Sequence, residues 1–146
     1  MFPKLAATLL VFLLTVFSAS SPSYARVVGI KVPATIHPGT PFPATILTES
    51  YIQNVYDYYM VFGMAPRNSA AGGLNELLGL GVDLVAINEY NTAHGAFNVS
   101  LTIPSNYNPD EGGEKVNLRA SVFSTTGASQ ETWVSNWDTN VTVVAA

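Results

Sequence analysis

The chain contains no cysteine, which excludes disulfides, thiolate-held metals and a cysteine nucleophile. Charge is sparse as well: six lysines and arginines stand against ten aspartates and glutamates in 146 residues. An acidic chain with scattered bases repels phosphate backbones, so nucleic acid is not an expected partner. Histidine is nearly absent. His37 adjoins Pro38-Gly39 and His94 adjoins Gly95, turn positions that are ordinarily solvated. No His-x-His or His-Glu-x-x-His spacing occurs, so a zinc or copper site would need ligands that the sequence does not cluster. No Gly-x-Ser-x-Gly elbow is present for a serine nucleophile. A convincing helical period is missing too, and beyond residue 17 there is no long apolar run.

The one long apolar run opens the chain. Met1 and Lys4 form a short basic region, Leu5 to Phe17 is apolar, and Ser18 to Ala25 is small and polar, ending Ser23-Tyr24-Ala25. This is the pattern of a secretory signal peptide with a small-x-small cleavage site, which places the cut between Ala25 and Arg26. The apolar run is shorter than the roughly 20 residues that span a bilayer, so release and no stable membrane insertion are expected. Residues 1–25 are thus read as signal peptide and residues 26–146 as a single secreted domain. The mature part carries five bases, Arg26, Lys31, Arg67, Lys115 and Arg119, against ten acids, a formal charge of −5. A copper oxygenase that used its N-terminal amine would want histidine first, where Arg26 stands. The 121 residues left can bury about two-thirds of their unfolded surface. Without disulfides the core must suffice alone, which favours a regular β fold.

The stretch Tyr51 to Pro66, YIQNVYDYYMVFGMAP, has a period of two. Tyr56, Tyr58, Met60, Phe62 and Met64 share one parity, and Gln53, Asp57 and Tyr59 the other, so a strand at the centre of a sheet is expected. Before it, Val28, Ile30 and Val32 alternate with Gly29 and Lys31. Pro38-Gly39 reads as a type II turn, and Phe42 to Ser50 as a strand that the prolines Pro41 and Pro43 confine to an edge at its start. Arg67 to Gly73 is a loop by composition. Leu74 to Leu80 is too closely bracketed by glycine for a stable helix, and Val82 to Ile87 reads as a strand. Phe97, Val99, Leu101 and Ile103 alternate cleanly with Asn98, Ser100 and Thr102. Val116 to Val122 and Trp133 to Val143 repeat the pattern. Seven short strands with turn signals about every ten residues indicate an all-β, immunoglobulin-like antiparallel sandwich, although the Cys–Trp–Cys signature of true immunoglobulin domains is missing.

Few residues suggest chemistry. Carboxylates for glycoside hydrolysis could be drawn from Asp57, Asp83, Glu89 or the acids near Glu111, but ten acids in a chain this size guarantee some such pair, and no enzyme is expected. Asp110, Glu111 and Glu114 could offer oxygens to Ca²⁺, yet a glycine-rich acidic loop is ordinarily a solvated turn, and no cofactor is expected. Two N-glycosylation sequons, Asn98-Val99-Ser100 and Asn140-Val141-Thr142, put their asparagines on the parity opposite the apolar side chains. Tyr51, Tyr59, Tyr90, Tyr107, Trp133 and Trp137 are candidates for stacking on sugar rings. Trp137 reads as core and Trp133 stays open.

Several stretches taken together carry a family likeness: RVVGIKVPATIHPGT from Arg26, YIQNVYDYYMVFGMAP from Tyr51 and ASVFSTTGAS from Ala120 to Ser129. Pro38-Gly39, Tyr51-Ile52-Gln53, Phe62-Gly63-x-Ala65-Pro66 and Phe123-Ser124-x-x-Gly127-Ala128 are its strongest parts. In this order, behind a signal peptide in a cysteine-free chain, they resemble the necrosis-inducing secreted protein one family of filamentous fungi. The resemblance covers nearly all of the mature chain. It implies a secreted, non-enzymatic effector that suppresses plant immune signalling by engaging pattern-receptor-associated kinases, and that provokes cell death in some hosts. The alternative from a different class is a secreted carbohydrate- or cell-wall-binding module. Among loop-borne polar residues, Gln53, Asn54, Arg67, Asn68, Asn75, Asp110, Glu111 and Glu114 form the expected partner surface.

Overall fold

A computed structural model describes residues 24–66, 74, 76–90 and 95–145. Among them there is no helix. Eight strands run in chain order: β1 (Tyr24–Lys31), β2 (Thr35–Ile36), β3 (Pro41–Tyr51), β4 (Val55–Pro66), β5 (Glu76–Asp83), β6 (Ala96–Thr102), β7 (Glu114–Thr126) and β8 (Glu131–Val143). They form a three-stranded sheet of order β1-β3-β6 and a five-stranded sheet of order β2-β8-β7-β4-β5. All pairings are antiparallel except β2 with β8. The chain's first extended segment is thus divided, β1 in one sheet and β2 in the other beside the last strand. That division, with the inner faces of both sheets contributing to one core, is the immunoglobulin-like sandwich arrangement. No cystine joins the sheets. Ala44 and Ile46 on β3 and Leu118, Ala120 and Val122 on β7 are all fully buried and close the gap by packing.

The chain's alternation predicts the inward faces of β6, β7 and β8 correctly: Val99 and Leu101, then Val116 to Val122 at every second residue, then Val141 and Val143. Two bulges change the outcome on β1 and β4. The register of β1 against β3 shifts between Val27 and Gly29, so that Ala25, Val27 and Ile30 are the buried residues and Val28 is not. The register of β4 against β7 shifts between Asp57 and Tyr59. An extra residue in one strand reverses the parity beyond it. Met60, Phe62 and Met64 therefore face inward with Val55 and Asp57, while Tyr56 and Tyr58 leave the face they were expected to share with Met60.

Three smaller expectations are adjusted. β3 is flanked on both sides, but β1 covers it only from Tyr51 to Thr45, so Pro41 and Pro43 have a partner on one side alone. The turn at Pro38 is as read, with Gly39 at φ 73° and the Thr40 N–H donating to the His37 carbonyl. The strand expected over Val82 to Ile87 instead ends at Asp83. There the Asp83 carboxylate accepts the Val85 and Ala86 N–H groups, both at 3.0 Å, and turns the chain. Tyr24 and Ala25 extend β1 opposite Tyr51 and Ser50.

Gly113 leads into β7 at φ 96°, where an added Cβ would approach the Thr142 and Val144 methyls to 3.0 Å and the Val143 carbonyl oxygen to 3.2 Å. Its neighbour Gly112 has a φ of 88° but open space around it. Gly113→Ala is expected to cost about 1–3 kcal/mol by strain plus crowding, and Gly112→Ala distinctly less. Urea midpoints of the two variants check this, and equal losses would show that the contact with β8 is irrelevant.

Candidate functional site

Asp57 is a charged side chain in the interior, 4% exposed. The β4 bulge turns it inward, where its Oδ2 accepts the Val27 N–H at 2.8 Å and its Oδ1 accepts the Ser124 hydroxyl. The β1 bulge beside Val27 frees that N–H from the ladder. One carboxylate thus ties β1 of the small sheet to β4 and β7 of the large one. Burial pushes its pKa up, against the hydrogen bonds from Ser124 and Val27 and the positive charge of Arg26, which pull it down.

Above this tie, the Arg26 guanidinium lies 4.4 Å over the Tyr51 ring and bonds Glu49 Oε1 through Nε at 3.1 Å and Nη2 at 2.7 Å. Both partners are substantially exposed, so the pair contributes about 1 kcal/mol at most. Arg26, Val27, Val28 and Glu49 form one wall of an open groove of about 300 Å³ whose other wall is Trp133, Ser135 and Trp137 of β8. Trp137 also packs against the core, as its position on the strand suggests. Trp133 anchors its indole N–H on the Thr126 hydroxyl at 2.8 Å.

The expected aromatic platform is not assembled. Tyr107 lies at another end of the molecule, donating its hydroxyl to Glu114 at 2.7 Å. Instead, Tyr56 stacks on Tyr90 with centroids 6.1 Å apart, Tyr56 meets Tyr58, and Tyr58 meets Phe123. Tyr56, Tyr58 and Phe123 sit on the outer face of the five-stranded sheet, where Tyr59, Phe123 and Val134 are paired in one line across β4, β7 and β8, while Tyr90 also packs against the core. Sequence reasoning missed this cluster because its parity depends on the bulge at Tyr58.

The residues expected to form a partner surface divide between the two ends of the sandwich. Gln53 and Asn54 lie before β4 near Gly127, whose N–H donates to the Asn54 carbonyl. Asp110, Glu111 and Glu114 lie at the opposite end of β7, roughly 40 Å away along a thirteen-residue strand. One patch cannot include both. Arg67, Asn68 and Asn75, like His94, lie outside the described residues. Asp110 and Glu111 are exposed and Glu114 is engaged by Tyr107, and no group of three potential metal ligands occurs among the described residues. Asn98 and Asn140 are both exposed on outward faces, Asn98 accepting the Thr45 hydroxyl at 2.8 Å. His37 bonds the Val144 carbonyl at 3.0 Å.

The class the fold defines is a small cysteine-free, immunoglobulin-like β sandwich, with open sheet faces, one tryptophan-lined groove and a buried carboxylate used as a tie. The chain belongs to the Nis1 family, whose model matches residues 23–142. It is 38% identical over 127 residues to the necrosis-inducing secreted protein 1 of Colletotrichum orbiculare, covering 86% of this chain and 74% of the relative. It is 36% identical over 121 residues to the protein of that name in Colletotrichum higginsianum, covering 82% and 78%. Neither relative is named for a catalytic activity. On this membership the chain is a secreted fungal effector. Among solved structures it is similar to a superoxide reductase (neelaredoxin) of Ignicoccus hospitalis, at 10% identity and a TM-score of 0.44 over 82% of both chains. Murine CRIg aligns at 5% identity and a TM-score of 0.40, over 84% of this chain and 98% of that one. Both likenesses are too distant to bear on function.

Proposed function

We propose that this protein suppresses plant pattern-triggered immunity by engaging receptor-associated immune kinases, and that it induces host cell death, without catalysis of its own. The observation that carries the reading is the family match over nearly the whole mature chain, joined to relatives named for inducing necrosis. The fold is compatible with it: a rigid sandwich that presents sheet faces and loops suits recognition. The mature chain, Arg26 to Ala146, is to be tested in a pull-down against plant receptor-kinase cytoplasmic domains and by infiltration into leaves. Specific, saturable retention of a kinase supports the reading, and its absence across the panel removes the kinase step.

A second reading, a module that binds cell-wall polysaccharide, is favoured by the groove that Trp133 and Trp137 line on one side, since indole faces stack on sugar rings. Retention on chitin, cellulose or β-glucan that is lost on Trp133→Ala would establish it. Secretion from a eukaryotic host is expected to yield a chain starting at Arg26 with glycans at Asn98 and Asn140. Intact mass before and after Asn98→Gln and Asn140→Gln checks this, each change removing one glycan's mass.

A further inference from the structure

The outer face of the five-stranded sheet is uneven. At the Lys115 end its positions on β7 and β8 are polar, Asn117 opposite the sequon residue Asn140 and Arg119 opposite Asp138. Toward the other end the face becomes apolar. Tyr59, Phe123 and Val134 lie in register at 44%, 45% and 58% exposure, and the partly buried rings of Tyr56 and Tyr58 belong to the same face, Tyr58 meeting Phe123. The turn at the end of β5 carries two more exposed apolar residues, Val85 and Ile87, each nearly half exposed. It is held against β4 by the Leu84 N–H on the Tyr58 carbonyl and the Asp57 N–H on the Tyr90 carbonyl. A contiguous apolar patch on a small secreted protein marks a contact surface more often than chance.

Charge indicates the occupant. Exposed Asp83 ends the Tyr59–Phe123–Val134 line at the β5 edge, and exposed Asp138 stands on the same face four residues along β8 from Val134. Among the described residues the bases on this face are Arg119, which is buried, and Lys115, eight residues from Phe123 on β7, roughly 26 Å away. Tyrosine and phenylalanine rings with one carboxylate alongside, Asp83, and another about 13 Å along the face, Asp138, and no exposed base close by among the described residues, attract guanidinium and ammonium groups through ring quadrupole and charge alike. Two copies meeting through this face would oppose acid to acid, and an anionic lipid surface would be repelled.

We infer that the Tyr59–Phe123–Val134 face is a docking surface for a protein segment in which apolar side chains are flanked by arginine or lysine. This deepens the kinase reading by naming the surface and the chemistry of its partner, and it rests on that reading.

The experiment has two parts. The mature chain is titrated by NMR with a pair of synthetic peptides that share their apolar residues and carry either arginine or glutamate at the flanking positions. The arginine peptide is expected to shift the Tyr59 and Phe123 ring signals saturably, with Phe123→Ser weakening it about tenfold, as for a central aromatic contact, and Asp138→Lys also weakening it. Gly81→Ala provides a second route, because a Cβ at Gly81 would collide with the Tyr59 ring and displace it. Equal response to both peptides, or no response at these rings, overturns the inference. So does a dimer in light scattering, or binding to anionic vesicles, that Phe123→Ser abolishes. In the second part Phe123→Ser and Asp138→Lys are carried into the kinase pull-down. Kinase retention that survives both changes leaves the kinase reading in place and overturns this surface. Loss of retention with native unfolding behaviour supports both.

Discussion

Phe62→Ala is expected to cost about 3–5 kcal/mol, the range for removing a buried aromatic side chain from a core that collapses only partly around the gap. Phe62 is completely buried in the middle of β4, paired with Leu80 of β5 on one side and Ala120 of β7 on the other. The small residue at 120 leaves room on the inner face for the ring, and Met60, Met64, Leu118 and Val122 complete the surrounding core. No disulfide shares the load. A domain of this size has a total stability of about 5–15 kcal/mol, so the loss would bring it close to unfolding at ambient temperature. Phe62→Leu, which keeps most of the volume, is expected to cost about 1.5 kcal/mol or less. Urea unfolding of both variants measures this, and a loss below about 1 kcal/mol for the alanine variant would mean that the ring is not a central member of the core.

Phe62 also illustrates what the sequence makes legible. Its inward orientation follows from alternation with Met60 and Met64, which share its side of the strand beyond the bulge. The same rule misplaces Tyr56 and Tyr58, because one extra residue between Asp57 and Tyr59 reverses the faces upstream, and a bulge leaves no mark in a pattern of large side chains. In β1 the rule fails in the same way at Val28. The strand β5 is hard to locate because Gly79 and Gly81 interrupt ELLGLGVD and leave Leu77 alone among the apolar residues on their parity, and β2 is two residues long and exists only through its pairing with Thr142 and Val143. Family membership was readable from short motifs such as Pro38-Gly39 and Phe62-Gly63-x-Ala65-Pro66, which mark turns, core and register. The surface was not. Polar loop residues look alike in sequence whether they lie at one end of β7 or the other, and the outer aromatic cluster depends on the bulge that the pattern conceals.

Asp57→Ala is expected to cost about 2–4 kcal/mol, since it leaves the Val27 N–H and the Ser124 hydroxyl buried without their acceptor. The effect should be pH-dependent in a definite direction. Burial raises the carboxyl's pKa in the folded state above its ordinary value of 3.8, so the native state holds the proton more tightly than the unfolded chain. This carboxyl's contribution is therefore most favourable below about 3.8 and is progressively lost as pH rises through the folded-state value. Deprotonation leaves a carboxylate whose desolvation is offset in part by the two hydrogen bonds and by Arg26. Asp57→Asn removes the titration while keeping a carbonyl oxygen for the Val27 N–H and an amide that can donate to the Ser124 oxygen. It is expected to be much less costly than alanine and to flatten the decline that starts near pH 3.8. Urea unfolding free energies of the native protein and both variants, taken from pH 3 to pH 7, decide the matter. If the native protein and Asp57→Asn changed in parallel across that range, Asp57 would not be the group that titrates. If Asp57→Ala were nearly neutral, the tie between β1 and β4 would contribute nothing, and the sheets would be held together by packing alone.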